Sequence, residues 1–170
     1  MRMRSMRGVG VVMCTMLALS GCASEPDKED SVVSVEQMHD TVTTGVRDVA
    51  ESLTSTGLQV PSATGRYVVC GTEPISSVQY RAVLEVTGAG DTSSQVQQAA
   101  QAMEDSGWTV TGSGTERGGW SDLERDSLTA GVQLSQRDDG TISVSVVHAC
   151  VDAAREVVDD VFGQTDQIIG

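Results

Sequence analysis

The feature of this sequence that most constrains its fold is an alternation of apolar and polar residues in three segments, 78–86, 127–136 and 141–149. Apolar residues at alternate positions give an extended strand one apolar face and one polar face. The last two segments are joined through Asp138-Asp139-Gly140, in which the Asp-Gly pair favours a tight hairpin turn. Consecutive strands of this kind predict an antiparallel sheet with helices covering its apolar face.

The first helix is predicted to begin after Ser34 and to end near Gly57. Ser34 and Gln37 have the spacing of a capping box, and glycine commonly follows the last turn of a helix. Apolar residues at spacings of three and four form one stripe over five turns: Val35, Met38, Val42, Val46, Val49 and Leu53. His39 falls at the edge of this stripe, where we interpret it as a structural residue.

The remaining segments complete an α+β pattern. A second capping box at 92–95 predicts a helix that ends near Ser106, and a third helix is predicted over about 151–162. Short strands are predicted at 66–70 and 108–111, and the C-terminal tail is expected to fray. The predicted order is α-β-β-α-β-β-β-α, a two-layer α+β fold in which helices pack on one face of an antiparallel sheet of about five strands.

A glycine-rich segment, 112–126, is predicted to be a long loop between two strands. Long loops in small domains are often functional, and this one holds Arg117 and Trp120, residue types that are favoured at binding hot spots. We therefore name Arg117 and Trp120 as a candidate interaction loop. The alternative is a mobile linker whose tryptophan folds back on the sheet.

The N-terminus has the three parts of an export signal. Residues 1–7 are basic, residues 8–19 are apolar, and the small residues Ser20 and Gly21 follow. A membrane-spanning helix needs about 20 apolar residues, so the apolar run is too short to be a stable anchor. We interpret residues 1–21 as a signal peptide.

The sequence Leu19-Ser20-Gly21-Cys22 resembles the lipobox of bacterial lipoproteins. The resemblance covers only the first 22 residues, and it implies cleavage before Cys22 and a diacylglyceryl group on the sulfur of Cys22. Two acyl chains hold a protein firmly at a membrane, here on the extracytoplasmic face. The implied organisation is a lipidated cysteine with a flexible acidic tether over 22–33 and a single α+β domain over 34–170. The alternative is an ordinary secreted protein with an incidental cysteine.

Cys70 and Cys150 are the cysteines that remain beside Cys22 once the signal peptide is removed. Outside the membrane the compartment permits disulfides, and each of the two follows a predicted strand. We therefore predict a bond between Cys70 and Cys150. A free nucleophilic or metal-binding thiol is the alternative.

The charge of the chain excludes several classes of partner. The formal net charge is −13, and the signal peptide removes three arginines and no acid, so the mature chain carries 8 basic and 24 acidic side chains. Such a surface repels nucleic acid and gains nothing from anionic lipid headgroups. It can favour cationic partners, although solubility is the simpler explanation.

Sequence motifs for catalysis or cofactor binding are missing. Neither His39 nor His148 has the spaced His or Cys neighbours of a zinc site, and no Gly-x-Ser-x-Gly nucleophile motif occurs. His148 has the parity of the apolar residues before it, so we interpret it as a residue at the rim of the core. We expect no enzyme activity, no cofactor and no bound metal.

The overall plan of leader, acidic tether, small domain and single disulfide resembles the small cell-envelope lipoproteins of actinobacteria. Our first hypothesis for the function is a non-enzymatic binding or assembly module on the extracytoplasmic face, whose partner would be another envelope protein. One alternative is a carrier or sensor of a small apolar or lipid ligand, which needs a cavity between sheet and helices. The other is an enzyme with dispersed catalytic residues.

Overall fold

A computed structural model describes residues 26–70, 76–136 and 140–170. Its elements in chain order are α1 (Lys28–Ser55), β1 (Gln59–Val69), β2 (Ser77–Thr87), α2 (Thr92–Asp105), β3 (Thr109–Gly114), β4 (Trp120–Arg125), β5 (Leu128–Leu134), β6 (Ile142–His148), β7 (Val151–Asp152), α3 (Arg155–Val161) and β8 (Thr165–Ile169). The predicted signal peptide, Cys22 and the Asp138-Asp139 part of the predicted turn lie outside the described residues.

The strands form one antiparallel sheet in the order β3-β4-β5-β6-β2-β1-β8, and the short β7 pairs with β2 beside β6. The prediction of an antiparallel sheet with helices is therefore confirmed. The predicted number of about five strands and the predicted element order are wrong, because the sheet formed by the described residues has eight strands. The three additional strands are β4, in the segment predicted to be a loop, β7, at the start of the predicted third helix, and β8, in the tail.

The apolar stripes meet in one core between the helices and one face of the sheet. All six residues of the α1 stripe are buried, and so are the alternate residues of β2: Val78, Tyr80, Ala82, Leu84 and Val86. Helix α1 lies over β2, β1 and β6, whereas α2 lies over β5 and β4. The opposite face of the sheet has no helix among the described residues and is referred to below as the open face.

Both long helices begin at an aspartate rather than at the predicted caps. The side chain of Asp27 accepts a hydrogen bond from the Glu29 amide at 2.9 Å, so α1 begins at Lys28 and residues 28–33 are helical rather than a tether. The side chain of Asp91 caps α2 in the same way. Aspartate is a strong cap, and its charge also favours the N-terminal end of the helix dipole.

The C-terminal region is more ordered than predicted. Helix α3 covers only Arg155–Val161, because Val151–Asp152 forms β7. The tail does not fray, since Thr165–Ile169 pairs with the outer side of β1 as β8. The predicted disulfide is confirmed: Cys70 and Cys150 are bonded, with their Cα atoms 6.3 Å apart. It joins the end of β1 to the residue before β7, and both strands pair with β2.

Candidate functional site

The predicted interaction loop is a β-hairpin. Strand β3 continues to Gly114 and β4 begins at Trp120, so only residues 115–119 form the turn. Within β4, Ser121 and Leu123 are buried under the helices, and Trp120, Asp122 and Glu124 point to the open face. The prediction of a long loop over 112–126 is therefore wrong, because polar residues on the open face and glycines in β3 conceal the alternation.

A hydrogen bond joins the turn of this hairpin to helix α2. Arg117 adopts a left-handed conformation with φ 55°, and Gly118 and Gly119 follow with φ 90° and 93°. The hydroxyl of Ser93 donates a hydrogen bond to the Gly118 carbonyl at 3.0 Å. A left-handed arginine costs free energy that the surrounding contacts must offset, whereas glycine adopts such angles freely. The side chain of Arg117 is exposed.

Trp120 lies across a shelf formed by Gly112 and Gly114 of the edge strand β3. A Cβ atom on Gly114 would lie 2.4 Å from the indole Nε1, and one on Gly112 would lie 3.3 Å from Cζ3. The indole therefore occupies space that only glycines leave open. The Nε1 of Trp120 donates a hydrogen bond to a carboxylate oxygen of Glu116 at 3.2 Å.

The Glu116 carboxylate is held in its charged form. Its pKa lies below the usual value because its own backbone amide donates to it, with a further contribution from the indole of Trp120. The indole is thus fixed at one edge by a charge-assisted hydrogen bond and beneath by the glycine shelf. It remains partly exposed to solvent on the open face.

Two surface clefts flank Trp120. One has a volume of about 660 Å³ and lies between α2 and the hairpin, and the other has about 600 Å³ and lies toward the end of β5. Trp120, Glu116 and Gly119 line both clefts. Apolar residues line part of the first cleft, but more than half of its lining residues are polar, among them Ser93, Gln97, Gln101, Glu104, Ser113 and Thr115.

A second cluster joins α1 to the C-terminal strand. The Nε2 of His39 lies 2.9 Å from an oxygen of Asp166, and the hydroxyl of Tyr80 donates to the same oxygen at 2.8 Å. The rings of Tyr67 and Tyr80 contact each other edge to face, with centroids 4.8 Å apart. Burial raises the pKa of Tyr67 to about 12, with Asp166 contributing next. Burial, followed by the hydrogen bond to Asp166, also raises the pKa of Tyr80.

The geometry of this cluster suits a structural link between α1, β2 and β8 better than a catalytic role. Both ring nitrogens of His39 face carboxylates, Asp166 at 2.9 Å and Asp40 at 3.4 Å, and the raised pKa of Tyr80 keeps its hydroxyl a donor. The sequence did not indicate this cluster, because Asp166 lies in the predicted frayed tail. The other histidine, His148, ends β6 with Nδ1 2.8 Å from the Ala149 carbonyl oxygen.

No family model, curated protein or solved structure matches this chain. Across residues 26–70, 76–136 and 140–170, no three or more His, Cys, Asp and Glu side chains gather as a metal site would require. In that same part of the chain, no helix combines the length and apolar character needed to cross a membrane.

Proposed function

We propose that this chain is a lipid-anchored extracytoplasmic lipoprotein, and that it acts as a non-enzymatic binding or assembly module of the cell envelope. Its contact surface is Trp120 with the turn residues Glu116 and Arg117. The observation that carries the proposal is the indole of Trp120, partly exposed and fixed on the glycine shelf between two surface clefts.

A fixed, partly exposed tryptophan suits binding for a physical reason. It offers a large apolar surface, and its side chain has already lost most of its rotamer freedom, so a partner does not need to order it. Arg117 adds a charge-bearing fork two residues before the glycine that leads into β4. The combination of an aromatic anchor with polar residues around it is typical of an interaction hot spot.

The first of the two clefts favours a polar partner over the alternative of a carried lipid. The cleft beside α2 lies where a carrier would hold its ligand, between helix and sheet, but its lining is mostly polar. The other alternative, an enzyme with dispersed catalytic residues, needs a cleft that brings a histidine together with a reactive group. His39 already faces two carboxylates, and the Nδ1 of His148 faces a backbone carbonyl.

The proposed anchor would hold the domain close to the membrane. Only residues 23–27 separate Cys22 from Lys28, the first residue of α1. The six residue-to-residue steps from Cys22 to Lys28 span at most about 20 Å, which is shorter than a tether that continues to residue 33. The N-terminal end of α1 would then face the headgroups.

Two variants test the two parts of this proposal. In a fractionation of intact cells, Cys22→Ala is expected to move the protein out of the processed membrane form, and a membrane fraction equal to wild type would contradict the anchor. In a cross-linking capture, Trp120→Ala is expected to lose the partners that wild type and Trp120→Phe retain. Equal capture by Trp120→Ala, with unchanged thermal unfolding, would contradict the contact surface.

A further inference from the structure

A row of residues in register crosses the open face of the sheet. From β4 to β1 it contains Glu124, Thr129, Val147, Arg81 and Arg66, each directly opposite the next. The carboxylate stands near one end of the row, the two guanidinium groups stand at the other, and small uncharged side chains lie between them. Neighbouring strands lie about 4.8 Å apart, so Glu124 and Arg81 are separated by about 14 Å.

Arg66 and Arg81 are like charges placed directly opposite each other on neighbouring strands. Such a pair has Cβ atoms about 5 Å apart and destabilises a sheet unless an opposite charge compensates it. Among the described residues, neither guanidinium has an ion-pair partner, although the chain carries 24 acidic side chains. By contrast, Lys28 pairs with Glu156, and Arg125 pairs with Asp48.

Arg81 also leaves a buried donor without a partner. Its Nε atom is inaccessible to solvent and makes no hydrogen bond. A buried polar group without a partner costs about 1–3 kcal/mol, and more when it is charged, so this position requires an explanation. The residue directly opposite on β6 is Val147, whose apolar side chain offers no acceptor.

We infer that Arg66 and Arg81 form a binding site for an oxyanion, a phosphate or carboxylate group carried by a ligand. Each guanidinium presents several N–H donors in a planar fork that matches these groups. One bound anion would relieve the repulsion between the two arginines and accept hydrogen bonds from their terminal N–H groups. The anion would be drawn to this end of the row, because Asp122 and Glu124 repel it from the other end.

A shallow groove leads across the open face toward the pair. It has a volume of about 350 Å³, ends at Val147 beside Arg81, and is lined by Thr129, Gly131 and Ser145, with the carboxylates of Asp122 and Glu124 at its far side. Small side chains keep this groove open, and Val147 is the direct neighbour of Arg81. A ligand longer than a single anion therefore has space to extend along the sheet. Arg81 lies three strands away from Trp120, so the test of the anion site is independent of the test of the proposed contact surface.

Titration of the full chain in detergent with inorganic phosphate, and separately with acetate, tests the site. The measurement is the side-chain Nε–Hε NMR signals of the arginines, at low ionic strength. We expect saturable shifts at Arg81 and Arg66. Arg81→Gln and Arg66→Gln should each weaken binding by at least about tenfold, since each removes one charged fork worth about 1.4 kcal/mol or more.

The matched control is Arg47→Gln, which removes the same charge from an exposed position on α1. It should leave the affinity within about twofold of wild type. A loss as large as that of Arg81→Gln, or shifts that do not saturate, would mean general charge attraction and would overturn the site. Arg66 is exposed, so Arg66→Gln is expected to fold. This variant therefore keeps the test decisive even if Arg81→Gln fails to fold. Saturation by phosphate alone would identify the ligand group as a phosphate. Saturation by both phosphate and acetate would support a site that binds either a phosphate or a carboxylate group.

Discussion

Gly114→Ala is expected to release the indole of Trp120 while leaving the fold intact. The new Cβ atom would lie 2.4 Å from Nε1 of the indole and 2.4 Å from the carboxylate oxygen of Glu116, far inside van der Waals contact. The backbone of Gly114 does not have a positive φ, so alanine fits its conformation. The side chain of Trp120 must therefore move, and its hydrogen bond to Glu116 is broken.

The free energy of unfolding should change little in this variant. Replacing glycine by alanine at a compatible position stabilises a protein by about 0.4–1 kcal/mol, through the unfolded state. The lost hydrogen bond at the surface costs about 0.5–1.5 kcal/mol. These effects have opposite signs, so we expect a net change within about 1 kcal/mol in urea unfolding.

Tryptophan fluorescence measures the movement. Trp108 is 3 % exposed and packs under Arg125, so a change in emission or acrylamide quenching would report on Trp120. Gly114→Ala should shift the emission to longer wavelength and increase quenching. Gly112→Ala should do so less, since its Cβ would lie 3.3 Å from the indole. Emission and quenching identical to wild type in Gly114→Ala would refute the glycine shelf.

Three further predictions concern stability. Replacing Cys70 and Cys150 by serine removes a disulfide whose cysteines are 80 residues apart in the sequence. The chain-entropy model predicts that the free energy of unfolding in urea falls by about 4.5 kcal/mol. A decrease of less than about 1 kcal/mol would contradict this prediction. Arg117→Gly should raise that free energy by about 1 kcal/mol, because glycine adopts φ 55° without strain; a loss would show that the side chain supports the turn. The raised pKa of Tyr67 contributes stability that is complete below pH 10 and is lost as the pH rises toward about 12. Urea unfolding at pH 9 and pH 11 should therefore show a smaller loss for Tyr67→Phe than for wild type, and equal losses would contradict the shift.

Periodicity made much of this fold predictable from sequence. The stripe of α1 and the alternation of β2 and β6 are long enough to identify the element and the buried face together. Strand β8 was missed because a short strand that pairs with β1, about 100 residues earlier, leaves little local signal. The predicted starts of α1 and α2 were wrong because Asp27 and Asp91 cap these helices. Ser34 and Thr92 are also residue types suited to capping, so the sequence offered two candidates for each helix start.

The candidate site was predictable in its residues but not in its geometry. Arg117 and Trp120 stood out as residue types, whereas the shelf depends on Gly114 lying opposite Trp120 across two strands. The opposition of Arg66 and Arg81 depends in the same way on the register of β1 and β2. Register follows from the packing of the whole sheet, and a shift of one residue between β1 and β2 would place the two arginines on opposite faces.

Photo-cross-linking in intact cells tests the proposed contact surface most directly. A photoreactive residue at Gln133, which lies opposite Trp120 on β5, is compared with one at the exposed position Arg47 on α1. The account predicts a discrete cross-linked product from position 133 that is absent from position 47 and is lost when Trp120→Ala is added. Equal products from both positions, or a product from position 133 that survives Trp120→Ala, would contradict it.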